Sequence, residues 1–357
     1  MDGQAAAGGM TGGRPRAPRI DWAHASDAPA ISDLLAQPLP GSVRMVLGDH
    51  VDGCVPRDEP RLRHHAIVVR DDAGRVLAHG ARTVRPLRIG DGVGWVGYLH
   101  GLRRDPALAG DGLRLVRALA RLRETRRTDE AAHDLTAILS SNSVARRVLE
   151  GGLPGAPAYH HLSDYRTVVL STAAAARWTD VAVRICFSPA WAIDAVQRMV
   201  DRHAADYAPS DAVTTSWLTA WRGDRLVGAM RVVDRRNERR EILAGYAPWL
   251  SAVRPALNPW LRLSGRPTLP APGRPLSLAY ASQLTVPDAD PIVVKALLAA
   301  GSGTAQAQRL AVGLTARHPL SPCIDRLPAW RIDSRIYAVG ACPAPSLRLL
   351  SPEAAWL

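Results

Sequence analysis

The sequence predicts an α+β protein: a mixed, mostly antiparallel sheet flanked by helices, built twice along the chain. Three observations predict this. First, Trp95 to Arg126 reads as a strand, a glycine-bearing turn and a helix. Val96, Tyr98, Leu99 and Leu102 form a strand-like apolar run, and Asp105-Pro106 ends it because proline cannot continue a ladder. Gly110 and Gly112 allow tight backbone; Leu113, Val116, Leu119 and Ala120 then recur at helical spacing, with Arg114, Arg117, Arg121 and Arg123 on the wetter face. Second, hairpin-like segments precede this unit, and an apolar strand, Leu135–Leu139, follows its helix and should run parallel to 93–102. Third, the second half repeats the first in outline.

The length of 357 residues suits two domains. Residues 1–18 read as a disordered Gly/Ala/Arg tail, and the connector Thr172–Arg177 sets a boundary near 175, dividing 19–172 from 178–357. Nothing approaches about 18 uninterrupted apolar residues, and the start lacks the apolar segment of a signal peptide, so a cytoplasmic protein with no membrane partner is expected. Cys54, Cys186, Cys323 and Cys342 are scattered without zinc spacing and read as reduced; no metal is expected. Adjacent His64-His65 and His160-His161 point to opposite strand faces, which seldom suits one ion. The net charge of +12 comes almost entirely from arginine, Lys295 being the only lysine. That excess favours acidic partners, but with aromatics at 5% and no arginine run interleaved with rings, nucleic acid is not expected as the main one. Composition does not bear on oligomeric state.

In chain order, Ile20–Trp22 is a first strand. Ala25-Ser26-Asp27 caps a helix carrying Ile31, Leu34 and Leu35, and Ser42 to Asp49 is expected as a second short helix. His65–Arg70 and Arg75–Val84 form a hairpin about Asp71–Gly74, and Arg88–Gly92 turns into the strand at 93–104. A helix at Val144–Glu150 follows the strand at 135–139. Tyr159–Leu162 and Tyr165–Leu170 should close the first sheet. The second half begins with a helix over Pro189–Tyr207, with Ile193, Val196, Val200 and His203 near one face. A hairpin of Thr214–Trp221 with Leu226–Val233 and a long strand, Leu276–Val286, come next. Helices at Pro291–Ala300 and Thr304–Arg309 precede strands Leu310–Thr315 and Ser334–Val339. Between the hairpin and the long strand, Ile242–Leu263 carries Tyr246, Trp249 and Trp260, as a lid, an interface, or an insertion packing on its own domain.

Around its organising unit the chain resembles the GNAT (GCN5-related N-acetyltransferase) superfamily. The family's R/Q-x-x-G-x-G/A loop aligns with Ala107-Leu108-Ala109-Gly110-Asp111-Gly112. Its later N-x-x-A…L-Y-x-x-x-G-F aligns with Asn142, Ala145, Val148-Leu149 and Gly152-Leu153. The likeness covers roughly residues 19–170 in the order of elements. Two positions depart from the family: Ala107 replaces Arg or Gln, and Leu149 replaces a Tyr that in many members protonates the leaving thiolate. The resemblance implies two tandem GNAT-like folds. In each, the parallel strand pair splays apart so that a pantetheine arm can enter as an inserted strand. The second fold is expected to be degenerate: its loop position reads Val286–Pro291, with Asp288, Asp290 and no glycine, so no CoA is expected there.

The implied activity is N-acyl transfer from acetyl-CoA to a primary amine of a small molecule or peptide, by direct attack. The alternative is a CoA-binding scaffold without turnover. The cofactor would be held by Leu102, Arg103, Arg104, the loop Ala107, Leu108, Ala109, Gly110, Asp111, Gly112, then Leu113, Arg114 and Asn142. A glycine turn opening a helix leaves N–H donors at a positive dipole end, which suits phosphate, and amides near Gly101 and Leu102 would polarise the thioester carbonyl. His100 is the candidate general base, since an imidazole reference pKa of ~6.5 suits proton uptake near neutrality. Tyr98 and Tyr159 are candidate acids in place of the missing tyrosine. Each of these has a structural alternative: a hydrogen-bonded histidine, surface arginines, and an asparagine that only caps its helix. No G-x-S-x-G or Walker-type signature is present.

Overall fold

The computed structural model describes residues 18–38, 43–49, 58–59, 62–108, 112–152, 154–178, 182–203, 206–208, 217–236, 239–343 and 352–354. The first half runs β1 (Arg19–Trp22), α1 (Ala28–Leu35), β2 (Val43–Asp49), β3 (Asp58–Glu59), β4 (Leu62–Arg70), β5 (Val76–Ile89), β6 (Gly92–Arg104), α2 (Gly112–Arg123), β7 (Glu130–Leu139), α3 (Ser143–Glu150) and β8 (Tyr159–Ser171). After α4 (Thr172–Ala175) come β9 (Arg184–Phe187), α5 (Ile193–His203), β10 (Trp217–Arg222), β11 (Arg225–Val233), β12 (Arg239–Tyr246) and α6 (Pro248–Leu263). The chain continues with β13 (Leu278–Thr285), α7 (Pro291–Thr304), β14 (Arg309–Thr315), α8 (Ser321–Ile324) and β15 (Trp330–Gly340).

One mixed sheet carries both halves, in the order β1-β4-β5-β6-β7-β15-β8-β14-β13-β11-β10-β9. Within it β6–β7 and β13–β14 are parallel and the other pairs antiparallel. The halves interlock. The last strand, β15, lies between β7 and β8, while β8 lies between β15 and β14. The expectation that 159–170 closes the first sheet alone is therefore corrected: β8 is a single strand, and a second-half strand separates it from β7.

Local chemistry explains the elements the sequence foretold. The Asp27 carboxylate accepts from the His24 amide at 2.8 Å and from Arg70 at 2.6 Å, anchoring the start of α1, which buries Ile31, Leu34 and Leu35. The Asp71 carboxylate accepts from the amides of Ala73 and Arg75, and Gly74 turns through φ +81°, closing the first hairpin. The Asn142 side chain accepts from the Ala145 amide at 3.1 Å and caps α3.

Three local expectations are corrected by long-range partners. Residues 43–49 form a strand because the backbone of β12 pairs with it, Val46 opposite Ile242; Val43 and Val46 carry the β-branched shape that a ladder tolerates better than a helix. The chain from 305 to 309 leaves the helix to start β14, where Leu278 pairs with Arg309. Helix α5 stops at His203, and Tyr207 sits at φ +66°, its hydroxyl 2.8 Å from His133 Nε2. On α5 the buried face is Val196 and Val200, while Ile193 is exposed.

The core has two faces in the first half. On one, α2 and α3 cover Ile67, Val69, Leu77, Leu99 and Ile138 with Leu119, Leu122 and Leu149. On the other, α1 covers Ala66, Val68 and Ala81.

Candidate functional site

The parallel pair β6–β7 decides the site. It is in register at Trp95 with Glu130, Gly97 with Asp134 and Tyr98 with Leu135. Beyond Tyr98 the ladder stops. Strand β6 continues to Arg104 paired only with β5, and β7 continues to Leu139 paired with β15. One side-chain bond crosses just past the apex, from the Thr136 hydroxyl to the Leu99 carbonyl at 2.9 Å. From Gly101 onward the backbone edge of β6 has no ladder partner on its β7 side among the described residues.

A bulge aims that edge. Ala81 pairs with His100 and His79 with Arg103, so β6 carries one residue more than β5. The extra residue is accommodated at Gly101, φ +64°, where a Cβ would lie 3.1 Å from the His79 ring. The His79 Nδ1 lies 2.9 Å from the Gly101 carbonyl oxygen and holds the bend. Leu102 packs into the α2-side core, and Arg103 donates to the Leu102 carbonyl at 2.9 Å with its guanidinium pKa lowered by burial. Arg104 is exposed. Pro106, Ala107 and Leu108 form a short 3-10 turn, with Leu108 buried. Ala109, Gly110 and Asp111 lie outside the described residues. Gly112, Leu113 and Arg114 form the first turn of α2.

On the face opposite α2, His100 and Tyr98 stand side by side, their rings 5.7 Å apart and nearly parallel. His100 Nε2 lies 2.8 Å from the Thr83 hydroxyl, which lies 2.8 Å from Nδ1 of buried His64. One hydroxyl proton can serve only one of the two rings, so the hydroxyl donates to one imidazole and accepts from the other. The chain His100–Thr83–His64 thus ties the two tautomers together and can hand a proton along. Sequence reasoning missed Thr83 and His64. The hairpin register places His64 opposite Thr83 and Thr83 opposite Tyr98, and that was the available signal.

Tyr159 is not brought to His100. It begins β8, beyond β15 from β7, and packs in the α2-side core with Leu149 and Tyr337; burial raises its pKa. Tyr337, from β15, is 1% exposed, and its hydroxyl donates to Glu150 on α3. Burial, reinforced by that carboxylate, pushes its pKa up to about 12. A second-half strand thereby puts a protonated phenol into the same core cluster as Leu149. Nothing in the local sequence signals this.

Under the apex lies a buried ionic cluster. Arg82, 0% exposed, reaches Asp134 through Nε (2.9 Å) and Nη2 (2.7 Å), and Glu130 through Nη2 (2.7 Å). Arg123 of α2 contacts the other Asp134 oxygen at 3.2 Å, and Arg63 contacts Glu130 at 2.9 Å. A Cβ on Gly97 would lie 2.0 Å from the Asp134 carboxylate, so glycine is required where β6 crosses the cluster. The cluster ties β5, β7 and the C-terminal end of α2 into one unit.

The second half has a matching opening with different contents. Strands β13 and β14 pair from Leu278 to Tyr280 and then part. Residues 352–354 of the chain lie in that gap: Glu353 accepts from the Gln283 amide at 2.8 Å and Tyr165 donates to the Pro352 carbonyl at 2.9 Å. A Cβ on Gly313 would sit 2.8 Å from that of Ala354. Asp290 caps α7 and pairs with Arg222, so the carboxylates of this loop serve the fold. Burial pushes the Glu353 carboxyl up to about 7, against amide, Ser282 and Arg231 contacts that pull it down. The neighbouring cavity of about 30 Å³ is lined by His203 and His318 among others. A carboxyl that holds its proton more tightly when folded favours the fold at low pH. Glu353 therefore contributes a fall in stability between roughly pH 4.5 and pH 7, on the order of 3 kcal/mol, while His318 in the same cavity, its imidazole lowered by burial to about 4, contributes an opposing rise between about pH 4 and pH 6.5. Unfolding free energies measured across that range should therefore rise more steeply with pH in Glu353→Gln than in the native chain.

No protein-family model matches the sequence, and no curated protein matches it. Solved structures do. A GCN5-related N-acetyltransferase from Sphaerobacter thermophilus superposes over 90% of this chain and 95% of its own, with TM-score 0.51 and 14% identity. The GCN5-related glucosamine N-acetyltransferase region of a fungal multi-domain GH3 β-N-acetylglucosaminidase superposes over 91% of this chain and 38% of its own, with TM-score 0.53 and 10% identity. At these identities the likeness is one of fold.

Proposed function

Starting from the GCN5-related N-acetyltransferase fold of this chain, we propose that it is a CoA-dependent N-acyltransferase. Acetyl-CoA is its expected donor, and a primary amine of a small molecule or peptide its acceptor. The observation that carries this reading is the β6 edge left open beyond Tyr98, in the strand that precedes α2, which starts at Gly112. An extended pantetheine amide chain matches such an edge, because it offers the donors and acceptors that a strand would. The thioester diphosphate would meet the loop 109–112 and the start of α2, with Arg103, Arg104 and Arg114 adding charge and Leu102 and Leu108 bordering the arm.

Chemistry is assigned to the first half. The amine attacks the thioester carbonyl carbon, a C–N bond forms, the C–S bond breaks and the thiolate takes a proton. Backbone N–H groups at the Gly101 bulge stabilise the developing oxyanion. His100 accepts the proton lost by the amine and shares it with His64 through Thr83, while Tyr98 stacks on His100 and holds its ring. Tyr98 is the phenol proposed to protonate the thiolate, since Tyr159 packs in the α2-side core and the Tyr337 hydroxyl is buried and donates to Glu150. The second half, its opening filled by residues 352–354, supplies β15 and so completes the first.

Calorimetric titration with acetyl-CoA tests the reading. The native chain is expected to bind with micromolar affinity and Gly110→Glu to bind at least about tenfold more weakly, since a carboxylate would face the diphosphate. Absence of binding heat in the native chain would sink the proposal. One observation favours a second reading, a CoA-binding scaffold: Leu149 is buried among apolar side chains where the family's thiolate acid would stand. Thiol release measured over a panel of amines separates the two, because a scaffold releases none.

A further inference from the structure

Helix α6 buries Leu250 and Leu261 and packs Leu257 against β12. Those side chains leave a second apolar stripe in solvent. Trp249 is 62% exposed, Val253 46%, Trp260 55% and Leu263 88%, and Ala256 between them is exposed too. Their spacing alternates four and three residues, so at about 100° per residue they share one face, roughly 110° round the helix from the buried leucines. Large apolar side chains scattered singly on a surface need no explanation; a contiguous row with two tryptophans does. The outer row also rules out the expectation that these aromatics pack the segment onto its own domain: only Tyr246 does so.

Charge selects what covers the row. From Ile242 to Arg274 the chain has four arginines (254, 262, 266 and 274) and no Asp or Glu. The Arg266 guanidinium lies over the Trp260 ring at 5.8 Å. A second copy docked row to row would bring the Arg266 guanidinium beside Trp260 against a helix face that carries no acid to receive it. An anionic lipid surface accepts both components: tryptophan and leucine enter the headgroup boundary and arginine meets phosphate. We propose that α6 is an interfacial helix that docks this protein on anionic membranes, lying in the surface rather than crossing it. Among the described residues, no helix is long and apolar enough to cross. This reverses the expectation of no membrane partner and is independent of the proposed acyl transfer.

Co-sedimentation with vesicles tests it. Vesicles of phosphatidylcholine containing about a third phosphatidylglycerol are expected to capture the full chain, and pure phosphatidylcholine vesicles to capture much less. Trp249→Ser, Trp260→Ser and Leu263→Ser should each weaken the partition about tenfold, because each removes one inserted side chain. Trp191→Ser, which alters a tryptophan 76% exposed elsewhere, should bind as the native chain does. Since all the altered side chains are exposed, unfolding midpoints should stay near the native value and confirm folded samples. Three outcomes overturn the proposal: no capture by anionic vesicles, capture that the α6 substitutions leave unchanged, or a native dimer in sedimentation velocity that those substitutions dissociate.

Discussion

Replacing Arg82 with leucine is expected to destabilise the protein by about 3–5 kcal/mol, the usual cost of removing one partner from a buried ion pair. The reason is what stays behind. Asp134 and Glu130 have almost no exposed side-chain surface, and without Arg82 each keeps a single guanidinium, from Arg123 and Arg63 respectively. Two carboxylates then share a low-dielectric site short of one cation, and water must enter to solvate the charge left behind. Urea unfolding monitored by circular dichroism checks this. The double variant Arg82→Leu/Asp134→Leu should recover part of the loss, because it removes the abandoned charge, and that recovery distinguishes a charge effect from a packing effect. An Arg82→Leu protein within about 1 kcal/mol of native would show that the cluster does not hold the apex.

Substituting His100 by alanine is expected to lower kcat/KM for an amine acceptor by about 10²–10⁴-fold, the range of general-base catalysis, with little change in acyl-CoA affinity. The pH profile is the sharper reading. With His100 as the proposed base, the native chain's rate should fall toward acid pH, and in His100→Ala that limb should vanish. Thr83→Val keeps shape but removes the hydroxyl between His100 and His64. It should cost less, about tenfold, and keep the limb, since the base remains while its outlet is cut. A native limb that persists unchanged in His100→Ala would assign the base to another group.

Much of the first half was legible because its signals are local. Pro106 stops β6, Asp27 and Asn142 bind amides within three residues of themselves, and Gly74 supplies its turn. The hairpin registers followed from those turns and carried His64, Thr83 and Tyr98 to one face. Segment 42–49 failed because its pattern suits helix or strand about equally and its partner, β12, lies some two hundred residues away. The same distance hid Tyr337, which reads as an ordinary strand residue until β15 enters between β7 and β8.

What the sequence by itself determined was most of the first half's local elements, the point at which β6 breaks off and the helix that Gly112 opens behind it. Each depends on backbone preferences and hydrogen bonds spanning a few residues, which composition and spacing express directly. Only the tertiary structure decided which strands became neighbours: β15 inside the first half's sheet, β8 inside the second's, β2 against β12, and residues 352–354 in the second opening. Ladder hydrogen bonds are made by backbone groups common to every residue, so any edge accepts any strand. The choice falls to side-chain packing and charge burial summed across the molecule, as where Arg82 meets Asp134 beneath Gly97.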